Sequence, residues 1–247
     1  LTAAGAANLL AANQNLPFAH VVQAWDPATG AGLPAYPRAT DDFQLLSQPA
    51  VAKVDGTGTN RAALYGTGLY QLHAYGPNGA EPADWPKFTG GWTQATPSVG
   101  DADGDGDLEV TTITREGWTF LWETEAPACT AGGTSTNDEW WTFHHDEHGT
   151  GNYGHDARPP GSVRSLVTGP VSPSGSVTLT WTEPGDDWLC GSASRYRVLL
   201  SDGPIARASD GQTAAEGDAA GAAGGPQQAV LSDAAMGDAT HAAVLYR

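Results

Sequence analysis

Apolar and polar residues alternate along several short stretches of this chain. Val163-Arg-Ser-Leu-Val167, Ser176-Val-Thr-Leu-Thr-Trp181 and Ser194-Arg-Tyr-Arg-Val-Leu-Leu200 each carry the two-residue period of a half-buried strand. Residues 61–65, 69–75, 109–114 and 118–122 read as further strands, joined in pairs by tight glycine-containing turns. Residues 203–229, rich in Ala, Gly, Asp and Pro, read as a long mobile loop. Long helical patterns are few and Gly (32) and Pro (17) are abundant, so the pattern predicts an all-β protein.

The strands of the first half fall into a repeat. Gln48-Pro-Ala-Val-Ala-Lys53-Val-Asp55-Gly-Thr-Gly-Thr59 aligns with Thr96-Pro-Ser-Val-Gly-Asp101-Ala-Asp103-Gly-Asp105-Gly-Asp107, about 48 residues on. Val22-Gln-Ala-Trp25, Leu72-His-Ala-Tyr75 and Thr119-Phe-Leu-Trp122 echo one another, as do Trp85-Pro-Lys-Phe88 and Trp140-Trp-Thr-Phe143. Short strands and Gly turns at a period near 50 are the mark of propeller blades.

The run 101–109 places Asp101, Asp103, Asp105, Asp107 and Glu109 at every second position, with glycines between them. Carboxylates packed so densely repel one another without a cation, and hard oxygens at alternating positions suit Ca²⁺. The alternative is a solvated acidic turn without metal. The repeat and its D-x-D-G-D-G-x-x-E core resemble the FG-GAP/VCBS repeats of integrin-type β-propellers, over roughly residues 16–155. The resemblance implies Ca²⁺ held by Asp101, Asp103, Asp105, the backbone carbonyl of Asp107, and Glu109. The first repeat departs from it, with Lys53, Asp55, Thr57, Thr59 and Arg61 at those positions. No calcium is expected there, and Lys53 and Arg61 are expected to pair with Asp55.

The pattern P-P-x-x-V-x-x-L, then V-x-L-x-W, then Y-x-V from Pro159 to Val198 resembles a fibronectin type III domain, which implies a sandwich with Trp181 in its core. The expected organisation is therefore 1–156 as two to three blades, 157–161 as linker and 162–247 as a sandwich without its last strand. So few blades point to a piece of a longer propeller protein or to assembly from several chains.

Composition narrows the setting. The net charge of −17, from 28 acids against 11 bases, opposes binding to nucleic acid or anionic membranes. No apolar stretch approaches the ~20 residues of a spanning helix. Cys129 and Cys190 fit no zinc spacing; in a secreted protein they would form one disulfide, here joining the two domains, and otherwise they are free thiols. His144, His145 and His148, with Asp146 and Glu147, form a candidate transition-metal site. The resembling family instead gives the His-Asp of its W-x-x-F-x-H-D segment a structural role. Trp92 and Trp118, beside glycines, could offer faces for glycan stacking. No nucleophile elbow, zinc-protease or phosphate-loop motif occurs. The expectation is a secreted, calcium-binding, non-catalytic adhesion or scaffold module. Its partner would be a protein, a glycan or copies of itself. The alternatives are a filament or surface-layer subunit and the accessory region of a secreted hydrolase.

Overall fold

The computed structural model describes residues 9–13, 20–40, 47–56, 61–130, 133, 135, 140–156 and 158–247. The chain divides into two units, one formed by 1–128 with 136–157, the other by 129–135 with 158–247. The described residues are almost entirely strand and turn, and every paired strand is antiparallel.

In the first unit, β1 (Leu9–Asn13), β2 (Val21–Trp25) and β3 (Arg38–Ala39) form one sheet. A second contains β4 (Ala50–Lys53), β5 (Arg61–Gly66), β6 (Gln71–Tyr75) and β7 (Lys87–Phe88), in that order. A third contains β8 (Ser98–Gly100), β9 (Asp107–Ile113) and β10 (Thr119–Pro127). Small residues on β5 leave room for large rings, so Ala63 and Tyr65 cluster with Val22, Ala24, Tyr36 and Tyr75. The buried Tyr36 hydroxyl is satisfied by donating to the Gly76 carbonyl at 2.8 Å.

The two repeats meet on one later segment. The Val51 N–H donates to the Trp140 carbonyl at 2.7 Å, and the Val99 N–H donates to the Trp141 carbonyl at 2.9 Å. Val51 and Val99 are the equivalent residues of the two repeats, so consecutive tryptophans serve corresponding strands. A hydrogen bond from the Gln48 amide to Thr96 Oγ1 adds a direct link at equivalent positions.

In the second unit, β11 (Arg164–Thr168), β12 (Val177–Thr182), β13 (Arg195–Ser201), β14 (Gln212–Asp218), β15 (Pro226–Leu231) and β16 (His241–Tyr246) form two three-stranded sheets. Their orders are β11-β12-β15 and β14-β13-β16. Leu179, Trp181, Ala229 and Leu231 of the first pack with Val198 and Leu200 of the second, which is why those stretches alternate. The Trp181 indole N–H donates to the Tyr246 hydroxyl at 2.6 Å.

Residues 203–229 are not a loop. They contain all of β14, a 3₁₀ turn and the start of β15. Ala and Gly carry little intrinsic strand preference, and pairing with β13 supplies what propensity does not. The described part of 157–161 is held in place as well: the Gly161 N–H donates to the Trp188 and Gly185 carbonyls, and the Arg158 guanidinium lies 5.0 Å over the Trp188 ring. A Cβ at Gly161 would sit 2.1 Å from the Trp188 carbonyl oxygen, so only glycine fits. Cys129 and Cys190 are disulfide-bonded. Because 129–135 belongs to the second unit, the bond lies within that unit and does not join two domains as the sequence suggested.

Candidate metal centre

The acidic run follows β8 directly and continues into the start of β9. Gly104 and Gly106 adopt positive φ (80° and 106°), which lets the chain turn tightly enough to fold its carboxylates inward. Four amides then fix four carboxylates. Asp101 Oδ1 accepts from Gly104 at 2.6 Å, Asp103 Oδ1 from Asp105 at 3.0 Å, Asp105 Oδ1 from Asp107 at 2.9 Å, and Glu109 Oε2 from Ala102 at 2.5 Å. Asp107 opens β9, opposite Pro127 of β10.

Two oxygens are left over. Glu109 is only 2 % exposed, and its Oε1 has no hydrogen-bond partner; neither has the buried Asp101 Oδ2. A buried carboxylate oxygen without a donor is costly unless a proton or a cation compensates it. Burial accordingly pushes the Glu109 carboxyl up to about 7, against the Ala102 amide and with help from the neighbouring Glu123 carboxyl, close enough to share a proton with it, and from the charges of Glu123 and Asp103. Burial, reinforced by the charges of Asp105 and Asp103, also raises Asp101 above the usual carboxylate range. Ligand atoms of Asp101, Asp103 and Glu109 lie within 4.8 Å of one another, as do those of Asp103, Asp105 and Glu123. An all-oxygen, all-anionic donor set of this kind is able to hold a hard metal ion.

Glu123 escaped the sequence reading. The β9–β10 register sets it directly opposite Glu109. The tight turn that pairs Thr114 with Trp118 would have revealed this, because counting back along both arms brings 109 to 123.

The histidines do not gather. They occupy a turn, not a strand, with His144 and His145 at positive φ (53° and 84°). His144 stacks on Phe143 at 3.9 Å between ring centroids, and the exposed His148 lies 3.7 Å from Glu147. His145 is buried edge-on to Trp140, with Nδ1 2.8 Å from Asp146 Oδ2. Asp146 also accepts from the Thr150 hydroxyl and from the His148 and Thr150 amides. Burial alone would raise the Asp146 carboxyl, but these donors hold it well below the usual range. Neither group of potential ligands found among the described residues includes a histidine.

The degenerate first loop differs in charge and register. Lys53 stands opposite Arg61 across β4–β5, whereas the corresponding pair in the second repeat is Gly100 and Glu109. Thr57 and Thr59 fall outside the described residues. Trp118 is 62 % exposed, and Trp92 is half-buried with the Arg115 guanidinium 5.6 Å over its ring. No helix among the described residues is long and apolar enough to cross a membrane. No protein-family model matches the chain, and no curated protein is significantly similar to it.

Proposed function

We propose that this chain is a secreted, calcium-stapled, non-catalytic binding or scaffold module. FG-GAP/VCBS-type propeller blades form its first unit and a fibronectin type III-like sandwich its second. The observation that carries the reading is the unpartnered Oε1 of buried Glu109, facing a loop of aspartates whose other oxygens are fixed by amides. Asp101, Asp103, Asp105 and Glu109, with the Asp107 backbone carbonyl, would hold the ion. Bound there, calcium supplies charge neutralisation and a cross-link between β8 and β9; it carries out no reaction.

Three further features support the reading. The equivalent residues Val51 and Val99 both bond to one later segment, which links the two repeats at corresponding strands. The three-plus-three sheets of the second unit, with Trp181 in the core, suit the sandwich. The disulfide suits an oxidising compartment. Exposed faces of Trp118, Phe88 and Leu121 on the first unit supply apolar area for a protein or glycan ligand.

Titration calorimetry of metal-stripped protein with Ca²⁺, beside thermal melts in Ca²⁺ and in EGTA, tests the core of this reading. Binding is expected at one loop, with a gain of about 2.7 kcal/mol at a hundredfold excess over Kd. No heat and no melting shift in millimolar Ca²⁺ would remove it. Sedimentation separates a discrete binding module, expected as a monomer, from a filament subunit.

A further inference from the structure

The loop and its surroundings divide the work of coordination unevenly. Each of Asp101, Asp103, Asp105 and Glu109 has one carboxylate oxygen tied to a backbone amide. Each therefore has one oxygen left for a metal, and the Asp107 carbonyl brings the loop to about five, where Ca²⁺ takes six to eight. The shortfall lies beside β10. Glu123, exposed on β10, is opposite Glu109, and its ligand atom lies within 4.8 Å of those of Asp103 and Asp105. Asp103 belongs to both groups of neighbouring oxygens and is the residue they have in common.

Strand β10 is also built to hold this position. It runs on to Pro127, opposite Asp107, while β6, its counterpart in the first repeat, stops at Tyr75. Along the extension Thr124 Oγ1 donates to the Leu108 carbonyl, and the Ala128 N–H donates to the Gly106 carbonyl at 2.8 Å. The repeat that keeps only one of the ligand carboxylates, Asp55, thus also lacks the extended strand. Two glutamates directly opposite on an antiparallel ladder repel each other, a cost that an ion beside them removes.

We propose that Glu123, from the neighbouring strand and outside the acidic loop, is a direct bidentate ligand of the metal ion, bringing the site to about seven oxygens. This rests on the reading of the loop as a calcium site. The test is calorimetry of metal-stripped wild type, Glu123→Gln and Glu125→Gln with Ca²⁺, together with thermal melts of each in EGTA. Wild type is expected to bind, Glu123→Gln to bind at least about 10-fold more weakly, and Glu125→Gln to stay within about 3-fold as a control for general charge loss. In EGTA, Glu123→Gln is expected to melt at or above wild type, because the substitution relieves the repulsion; a purely structural glutamate would lower the melting point. Equal affinity of wild type and Glu123→Gln, or equal weakening by both variants, overturns the assignment of Glu123 alone. No Ca²⁺ binding by wild type overturns the site itself, and this inference with it.

Discussion

Glu109 and Asp146 are buried to the same depth, each 2 % exposed, and their carboxyls are driven in opposite directions. Asp146 receives two amides, a threonine hydroxyl and an imidazole, and stays ionised far into acid. Glu109 is raised to about 7 by burial first and by neighbouring carboxylates after it, because it receives only one amide and leaves Oε1 bare. Depth is therefore not what separates them. The supply of donors decides whether a buried anion closes its own site or requires an ion from solution. The same contrast separates the two acidic stretches singled out in the sequence, one a finished structural knot and the other a loop with buried carboxylate oxygens left bare.

The strongest way to break this comparison is Asp146→Ala. It strips four donors of their acceptor, and the first unit's melting temperature is expected to fall by about 5–10 °C, equally in Ca²⁺ and EGTA. A drop seen only in one of the two conditions would show that the knot and the loop are not independent.

A pH series on metal-stripped protein comes next in size. Glu109, raised on folding from its ordinary 4.5 to about 7, contributes stability below 4.5 that is lost as the pH rises towards 7. Asp146, lowered on folding, contributes stability above the unfolded carboxylate range near 4 that is lost as the pH falls below it. Melting temperature is thus expected to peak between these windows without metal, and saturating Ca²⁺ is expected to erase the loss on the neutral side. A flat profile from pH 4.5 to 7 in stripped protein would contradict the account of Glu109.

The smallest effect sharpens the picture of the knot itself. Thr150→Val removes one donor of four while keeping the shape, and should cost about 2–4 °C. A differential scan in EGTA reads it, and an unchanged melting point would mean that the Thr150 hydroxyl contributes nothing to holding Asp146.

Alternation made β12 and β13 legible in the sequence, and β12 keeps it in the fold, with Leu179 and Trp181 buried and Thr180 between them exposed. The same logic hid β14, whose Gln212-Thr-Ala-Ala-Glu-Gly-Asp218 has no large apolar residue to mark its inner face. The carboxylates of 101–109 announced themselves by spacing, since a single tight loop gathers them. Glu123 did not, because its proximity is a property of hairpin register, and Glu125 on the same strand looks identical in composition. The histidine cluster looked like a ligand set only while a regular strand was assumed; positive φ at His144 and His145 turns the rings to different neighbours. The disulfide pairing followed from there being two cysteines, but its place within the second unit depended on where 129–135 packs.

The Trp140-Trp141 step has a consequence for how repeats of this kind tolerate change. Successive carbonyls of an extended chain point to opposite edges, so one segment offers a grip to a strand on either side, offset by a single residue rise of about 3.3 Å. Val51 takes one grip and Val99 the other. The interval between the two repeats is thus metered by this later segment, and the length of chain that joins them in sequence is left comparatively unconstrained. Insertions in the connecting turns are absorbed as longer surface excursions. One residue gained or lost at the tryptophans would put both repeats out of phase together.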